Sequence, residues 1–330
     1  MITFDKREGR SIMIIDIKIM QLRKTTKKRS GRKNMRSKIK SIRQDSIIMG
    51  NICNSMKMIL FTALITLGLM VTASAESNWN FTLGAGVYGE GVYKGSDDYY
   101  VTPLPAFKAT YLSGQFLYSF SILEGISATY MNQKYGLMST INVNFGYKRD
   151  SEEFSVVGVP VKHSDKTSRF LEGTPNLETP ATISFSLDYL TQAGMIGINI
   201  AYHPTKMEYD RNGYEDNTRH GVVYSIRYMN QYQISKRLSV AGLAGLEFMN
   251  KDYARAWYSV DYETESLSLF KADAGLQDFQ AAVQFNYLLT KQIGITIDWL
   301  NTFLLADAKD SPYTLESHQQ TAGLQLFYNF

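Results

Sequence analysis

The sequence is poor in cysteine, proline and histidine: its 330 residues include 1 Cys, 7 Pro and 4 His. A single thiol cannot form a disulfide framework, and we expect no metal centre and no cofactor. The longest apolar run, Met58–Val71, has 14 residues, whereas a helix needs about 20 to cross a bilayer. The sequence therefore predicts no membrane-spanning helix.

Charge is divided unevenly along the chain. Residues 1–55 contain 15 Lys and Arg against 4 Asp and Glu, whereas the residues from Glu76 onward contain 19 against 27. The segment 56–75, MKMILFTALITLGLMVTASA, combines Lys57, the apolar run and a small-x-small triplet. This pattern is typical of a secretory signal peptide, with cleavage expected after Ala75 and export through the periplasm. The mature chain would then contain no cysteine.

The basic segment 1–55 has two interpretations. It could be a nucleic-acid-binding arm, or a disordered stretch upstream of the true start. The second is favoured because a cleaved export signal lies at the N-terminus of its protein. We therefore expect no nucleic-acid partner, and residues 1–75 do not enter the fold prediction.

After residue 75 the recurring pattern has a period of two, which predicts β-strands with one apolar face. The apolar faces end in Tyr or Trp, as in the aromatic girdles of membrane barrels. The opposite faces carry charges, which a polar barrel interior accepts and a protein core rejects. These charges either line a pore or form a paired network, and they are Lys148, Asp188, Arg227, Glu247 and Asp298. Clear examples of the pattern are TINVNFGY (140–147), ATISFSLDY (181–189), MIGINIAY (195–202) and QIGITIDWL (292–300).

Loop lengths support the same fold. Counting back from Phe330, long and short connections alternate, as they do in outer-membrane barrels. The sequence predicts an all-β fold, a transmembrane antiparallel up-and-down β-barrel over 76–330 with twelve strands, or ten as the alternative. Segments 115–122 and 126–132 carry the weakest strand patterns. Because twelve strands lie between filled and channel-forming barrels, we expect little conductance. The long loops are predicted at 92–97, 150–180, 203–219, 251–274 and 306–318, with a tight tip at 123–125.

The chain ends in LQLFYNF, with Leu326, Tyr328 and Phe330 on one face. A strand that closes the barrel against the first strand would remove both sheet edges. The terminal aromatic residue resembles the signature by which the barrel-insertion machinery recognises outer-membrane proteins. Tyr328 and Phe330 are therefore predicted as the insertion signal, and outer-membrane lipid as the surrounding partner.

Three blocks resemble the MipA/OmpV family, named for the MltA-interacting protein. VYKGSDDYYVTPLPAFKATY (92–111) resembles its N-terminal block, ARAWYSV (254–260) its aromatic-rich block and FLLADAKDSPYT (303–314) its Leu-Leu-x-Asp-Ala segment. The family usually has Gly at the position of Ser259. The motif residues mapped onto this chain are Tyr93, Gly95, Ser96, Asp97, Pro103, Pro105, Trp257, Tyr258, Asp307, Asp310, Ser311 and Pro312.

The resemblance implies an outer-membrane barrel that is not an enzyme. Family members are described as scaffolds that bring a lytic transglycosylase of the MltA type near a peptidoglycan synthase. A narrow solute pore and a surface adhesin or antigen remain alternatives, with an outer-membrane hydrolase less favoured. No nucleophile motif surrounds any of the four histidines, His163, His203, His220 and His318.

The motif loops allow a second interpretation at two places. Asp97 and its neighbour in YKGSDD offer hard oxygens to a cation, but Gly95 and Ser96 also fit an ordinary turn, which we favour. Asp307 and Asp310 could take part in acid–base catalysis, although the sequence Asp-Ser-Pro is common in ordinary loops, which is the interpretation that we favour. Both segments are predicted on the extracellular side, where they could touch across the barrel mouth.

Overall fold

The computed structural model describes residues 78–149, 153–156, 159–208, 217–261 and 263–330. The predicted basic segment 1–55 and signal peptide 56–75 lie outside the described residues. None of the helices in the described ranges is long and apolar enough to cross a membrane.

Twelve antiparallel strands form the ring, and two further strands form a hairpin within one long loop. The first strands are β1 (Trp79–Gly91), β2 (Tyr99–Ser113), β3 (Phe116–Ser121), β4 (Gly125–Asn132) and β5 (Leu137–Arg149). The hairpin consists of β6 (Glu153–Val156) and β7 (Val159–Lys162). The remaining strands are β8 (Asn176–Thr191), β9 (Gly194–Glu208), β10 (Asn217–Gln233), β11 (Leu238–Met249), β12 (Gly275–Leu288), β13 (Ile293–Leu304) and β14 (His318–Asn329).

The ring closes where β14 pairs with β1, from Thr82 opposite Asn329 to Gly89 opposite Ala322. The amide of Phe330 extends this pairing by donating to the carbonyl of Phe81. The predicted twelve-stranded antiparallel barrel is therefore confirmed. Segments 115–122 and 126–132 do form two separate strands, β3 and β4, as the strand count required.

The period of two separates an apolar outer face from a polar inner face. On β13 the outward Ile297 and Trp299 are about half exposed, whereas the inward Thr296 is buried. A face that exposes this many large apolar side chains suits lipid rather than water. Other outward residues include Ile141, Phe185, Ile198, Ile226, Phe285, Leu324 and Leu326.

Two predicted loop boundaries are wrong. Strands β9 and β10 extend to Glu208 and from Asn217, so the connection is shorter than 203–219. Strand β8 begins at Asn176, inside the predicted loop 150–180. Backbone pairing continues beyond the predicted strand ends. There the inward Met207 packs into the core of the long-loop end, so the sequence no longer alternates between apolar outward residues and polar inward residues.

Three short helices were not predicted: α1 (Asp165–Phe170), α2 (Lys251–Tyr258) and α3 (Ala306–Asp310). Each lies in a long connection and is too short to show a clear 3.6-residue pattern. Helix α2 begins where the Asn250 side chain accepts a hydrogen bond from the amide of Tyr253, at 2.9 Å. All three helices lie at the end of the barrel that carries the long loops.

The β3–β4 hairpin is much shorter than its neighbours. Its last pair with β2 is Lys108 opposite Ser121, and its last pair with β5 is Ile126 opposite Val143. The tip predicted at 123–125 on the extracellular side is formed by residues 122–124 and ends within the barrel wall. Leu123 and Glu124 of the tip line the lumen.

Candidate functional site

The long-loop end of the barrel contains a packed core. One cluster joins helix α2 to the inner faces of the strands, and a second joins loop 92–98 to the 153–175 segment. Side chains from distant parts of the chain are almost completely buried there, as they are in the core of a soluble protein. Fully buried members include Leu171, Leu177, Ala254, Ala272, Leu304 and Ala308.

Arg149 lies at the centre of this core and is only 3% exposed. Its guanidinium carbon lies 4.6 Å from the ring centre of Tyr313, 5.4 Å from Trp257 and 5.7 Å from Tyr93. Aromatic faces attract a cation, and the attraction strengthens where water is excluded. The three rings come from three different long loops, so Arg149 ties those loops together.

Gln319, the second residue of β14, connects this strand to the YKGSDD loop by hydrogen bonds. The Gln319 side chain accepts from the Gly95 amide at 2.9 Å and donates to the carbonyls of Tyr93 and Ser96 at 3.0 and 2.9 Å. Gly95 has φ +101, and its carbonyl accepts from the amide of Glu316 at 3.0 Å. Loop 92–98 therefore lies against the end of the β13–β14 connection, and the two are neighbours because β1 pairs with β14.

Asp97 and Asp98 of the same loop bind helix α1. The Asp98 carboxylate accepts from the hydroxyls of Ser164 and Thr167, the latter at 2.8 Å. The Ser164 hydroxyl makes the largest contribution to holding the pKa of Asp98 below its usual value. Asp97 forms an ion pair with Lys166. Both carboxylates are used in loop docking.

Lys94 reaches from the loop into the lumen. Its Nζ lies 2.6 Å from the carboxylate of Asp278 and 3.2 Å from that of Glu247. Burial lowers the pKa of Lys94, but the two carboxylates outweigh burial and hold the pKa well above its usual value. The fully buried Asp278 thus has a charged partner.

The third motif block also lies against the core. The hydroxyl of Ser311 donates to the Tyr258 carbonyl at 2.7 Å. Asp307 accepts from the backbone amide of Asp273 at 2.8 Å, whereas Asp310 is exposed on α3. The structure does not bring Asp307 and Asp310 together with a shared partner, so their contacts are those of loop structure.

Asp188 and Arg227 form an ion pair across an intervening strand. The guanidinium nitrogen Nη2 of Arg227 lies 3.0 and 3.1 Å from the two carboxylate oxygens of Asp188. Gly197 of β9 lies between them, and a Cβ there would come within 1.9 Å of the carboxylate. The glycine leaves the space through which the pair passes.

Asp298 on β13 is also contacted from across an intervening strand, through space that a glycine leaves. Tyr88 of β1 extends across Gly323 of β14, and its hydroxyl lies 3.5 Å from the carboxylate of Asp298. The Gln284 amide donates to the same carboxylate at 2.6 Å. The described lumen charges are thus held in networks.

The other predicted residues occupy separate places. Pro103 and Pro105 lie on the outer face of β2, Pro312 is half-buried beside Ser311, and the Lys148 side chain lies outside the described part. The ring centres of Tyr328 and Phe330 lie 4.7 Å apart in an edge-to-face arrangement, on the outer face at the end of the last strand. Their role in insertion stays a prediction.

The histidines are distributed around the wall. His203 lies 3.1 Å from the Thr182 hydroxyl, His220 lies 2.6 Å from that of Tyr202, and His318 lies 3.0 Å from the amide oxygen of Asn301. His163 stacks on Phe154. Within the described ranges, no three His, Cys, Asp or Glu side chains are grouped to hold a metal ion.

Among the described residues, the short-turn end encloses open space instead of a core. A cavity of about 820 Å³ reaches the β8–β9 turn at Thr191 and Gln192. A smaller cavity of about 380 Å³ shares Glu124, Gln284 and Asp298 with it. We call the larger cavity the vestibule; its inner wall is formed by Leu190, Met195, Met229, Leu243 and Leu300, with Glu124 and Asp298 as carboxylates.

Sequence reasoning missed Arg149, Gln319 and Asp278 as members of the core. One signal was available: Lys94 is a lone cation within an acidic loop motif, and such a residue often pairs with a buried acid. Nothing in the sequence reveals which acid, because Lys94 and Asp278 are separated by 184 positions.

The closed ring, the lipid-facing apolar band and the polar lumen define an outer-membrane β-barrel. A family model described as "MltA-interacting protein MipA" matches residues 83–330, and the chain belongs to this family. The family suggested by the three sequence blocks is confirmed. No curated protein matches the chain.

Solved structures with a similar fold are outer-membrane proteins of low sequence identity. An outer-membrane channel from Pseudomonas putida F1 is 11% identical, with a TM-score of 0.41 over 78% of this chain and 97% of that chain. The translocator domain of the autotransporter NalP from Neisseria meningitidis is 8% identical, with a TM-score of 0.36 over 81% and 96%. The outer-membrane channel DcaP of Acinetobacter baumannii is 9% identical, with a TM-score of 0.34 over 78% and 98%.

Proposed function

We propose that the protein is a non-enzymatic interaction protein, which holds a murein lytic transglycosylase at the inner surface of the outer membrane. The family description names an interaction with MltA. The observation that carries the proposal is the contrast between a packed long-loop end and a vestibule open at the short-turn end. Short turns face the periplasm in barrels of this kind.

The vestibule provides the binding surface that the short periplasmic turns lack. The periplasmic turns are only a few residues long, as at 192–193 between β8 and β9, and offer little surface to a partner. A concave site of several hundred Å³ with apolar walls and a few polar groups is the usual form of a binding pocket. A partner segment that enters the vestibule would contact Leu190 and Met195 and face the carboxylate of Asp298. A peptidoglycan synthase would belong to the same assembly.

A through-pore fits the structure less well. An open channel needs a continuous polar path, whereas Arg149 and the rings around it fill the long-loop end. A hydrolase also fits less well, because the histidine contacts described above do not join a nucleophile to a base and an orienting acid. We therefore propose that the chain has no catalytic activity.

Photo-crosslinking in cells tests the proposal. A photoreactive amino acid replaces Leu190 at the vestibule rim, and in a control it replaces Ile226, which faces lipid. We expect a lytic transglycosylase in covalent adducts of the Leu190 variant and its absence from those of the Ile226 variant. Adducts without any murein enzyme at Leu190, in cells where the barrel is folded, would refute the proposed function.

A further inference from the structure

The short turns of the barrel carry charge of one sign. These turns, all of them described, are 114–115, 133–136, 192–193, 234–237 and 289–292. They contain no acidic side chain, and their basic side chains are Lys134, Lys236, Arg237 and Lys291. The residues from Glu76 onward contain 19 Lys and Arg against 27 Asp and Glu. The sign of the charge in the turns is therefore opposite to that of the chain around them.

Two neighbouring turns bring three of these cations together. Arg237 is the last residue of turn 234–237, and its carbonyl accepts a hydrogen bond from the amide of Leu288 at 2.8 Å. Leu288 ends β12, so turn 289–292 lies directly beside turn 234–237. We call these two turns the basic turn pair; its cations are Lys236, Arg237 and Lys291. Lys134 lies on the opposite side of the ring, between β4 and β5.

A hydroxyl group fixes the backbone of each turn in the pair. The Ser235 hydroxyl accepts a hydrogen bond from the amide of Arg237 at 3.2 Å. The Thr290 hydroxyl accepts one from the amide of Ile293 at 2.9 Å. Such side-chain-to-amide bonds stabilise tight turns. The cations are therefore presented from an ordered backbone, which lowers the entropic cost of binding a partner.

The charge of the basic turn pair is not compensated within the described part of the chain. All three cations are exposed, and they make no ion pair with a described acidic residue. The first acidic residues along the flanking strands are Glu247, Asp278 and Asp298, which face the lumen. Glu247 and Asp278 are already paired with Lys94. An uncompensated group of like charges attracts an anionic partner.

The basic turn pair lies beyond the aromatic girdle. Tyr232 and Tyr287 are 65% and 42% exposed on the outer face, and each precedes a turn lysine by four residues. Such rings mark the level at which hydrocarbon meets water. The cations are therefore on the aqueous side of that level, where an anion from the periplasm can reach them.

We propose that the basic turn pair binds murein through the carboxylates of its stem peptides. These peptides carry more than one free carboxylate, and a group of three cations suits closely spaced anions better than a single one. The guanidinium of Arg237 can also donate two parallel hydrogen bonds to one carboxylate. Ion pairs need less surface than a folded partner does, so short turns are sufficient.

Repetition along the polymer strengthens the contact. A single exposed ion pair is weak, but murein presents the same carboxylates many times, which raises the overall affinity. The binding should weaken as salt is added, because salt screens exposed charges. This inference goes beyond the proposed function and shares with it only the orientation of the short turns toward the periplasm.

Co-sedimentation with isolated murein sacculi tests the binding. The folded barrel is placed in nanodiscs of zwitterionic lipid, and no transglycosylase is added. The test variant combines Lys236→Gln, Arg237→Gln and Lys291→Gln. Lys134→Gln is the control, because it removes an exposed turn cation on the opposite side of the ring. Sacculi whose carboxylates have been converted to amides provide the control on the ligand.

We expect the triple variant to bind about tenfold more weakly than the unmodified barrel. Lys134→Gln should bind almost as well as the unmodified barrel, and the amidated sacculi should retain little of it. Equal binding by the triple variant would overturn the proposal, as would undiminished binding to amidated sacculi. Stronger binding to vesicles of anionic phospholipid than to sacculi would also overturn it, in favour of a lipid contact.

Heat-modifiable gel migration confirms that each variant is folded. The double variant Lys236→Gln and Lys291→Gln replaces the triple variant if the latter does not fold. Because the assay contains no transglycosylase, its result is separate from that of crosslinking at Leu190.

Discussion

The two ends of this barrel are built on different principles. At the long-loop end, Arg149 and its aromatic partners form a core like that of a soluble domain. At the short-turn end, the strands are joined by minimal turns and the lumen stays open as the vestibule. The strands of the ring are common to both ends, and the long loops fill only one of them. We call this filled long-loop end the sealed end.

The largest effect is expected from removing an aromatic side chain of the sealed end. Trp257→Ala leaves a cavity beside Arg149 and removes one of its three ring contacts. Truncating a buried Trp typically costs about 3–5 kcal/mol. We expect the long loops to become sensitive to trypsin while the ring stays folded.

Trp299→Ala is the control for this change, because Trp299 faces lipid and is about half exposed. It should leave the loops protected. Equal trypsin sensitivity in the two variants would show that Trp257 does not hold the sealed end.

A smaller effect is expected at the ion pair that joins loop and wall. Asp278→Asn removes the closer carboxylate from Lys94 but leaves Glu247 in place. Breaking a buried pair costs about 3–5 kcal/mol; because Lys94 is partly exposed, we expect about 2 kcal/mol. The urea midpoint of the refolded barrel measures the loss.

Asp273→Asn provides the comparison for that pair. Asp273 meets Lys251 at 3.5 Å on the exposed surface, where water screens such pairs and their contribution to stability is small. A urea midpoint lowered as much by Asp273→Asn as by Asp278→Asn would contradict the importance assigned to burial.

Gly197→Ala should disturb the lumen beneath the sealed end. Its Cβ would collide with the Asp188 carboxylate, so the ion pair with Arg227 must shift. Overpacking of this kind costs about 1–3 kcal/mol. Gly242→Ala, where the nearest atom would be 4.0 Å away, should be nearly neutral. Thermal unfolding on gels compares the two, and equal transition temperatures would refute the crowding at Gly197.

The smallest effect is a dependence on acid. The pKa of Asp98 is lowered in the folded protein, so its contribution is present above the usual aspartate pKa and is lost as pH falls through the lower, folded value. We expect α1 to detach from loop 92–98 in that range, seen as faster proteolysis by an acid protease. Asp98→Asn should remove this pH dependence and Asp165→Asn should keep it; an unchanged profile in Asp98→Asn would count against the docking role.

The strands could be predicted because lipid imposes a period of two on every segment that crosses it. The alternation of Ile297 and Trp299 with polar residues can be seen in the sequence without knowledge of any other segment. The sealed end could not be predicted, because the partners of Arg149 lie in three loops with no periodicity. The Asp188–Arg227 pair needs the register of three strands, which depends on the turns between them.

The upper part of β2, which among the described residues has β1 as its strand partner above Lys108, is an intermediate case. Pro103 and Pro105 were visible as a family motif, and proline in a strand already indicates an edge. The position of that edge follows only from the length of β3, whose six residues gave a weak pattern.

The most direct test of the sealed end is ionic conductance through the purified barrel in a planar bilayer. With Arg149 and its aromatic partners in place, we expect no sustained current, and we expect current to appear in Trp257→Ala. A large steady current through the unmodified protein would contradict a barrel that is closed at its outer end.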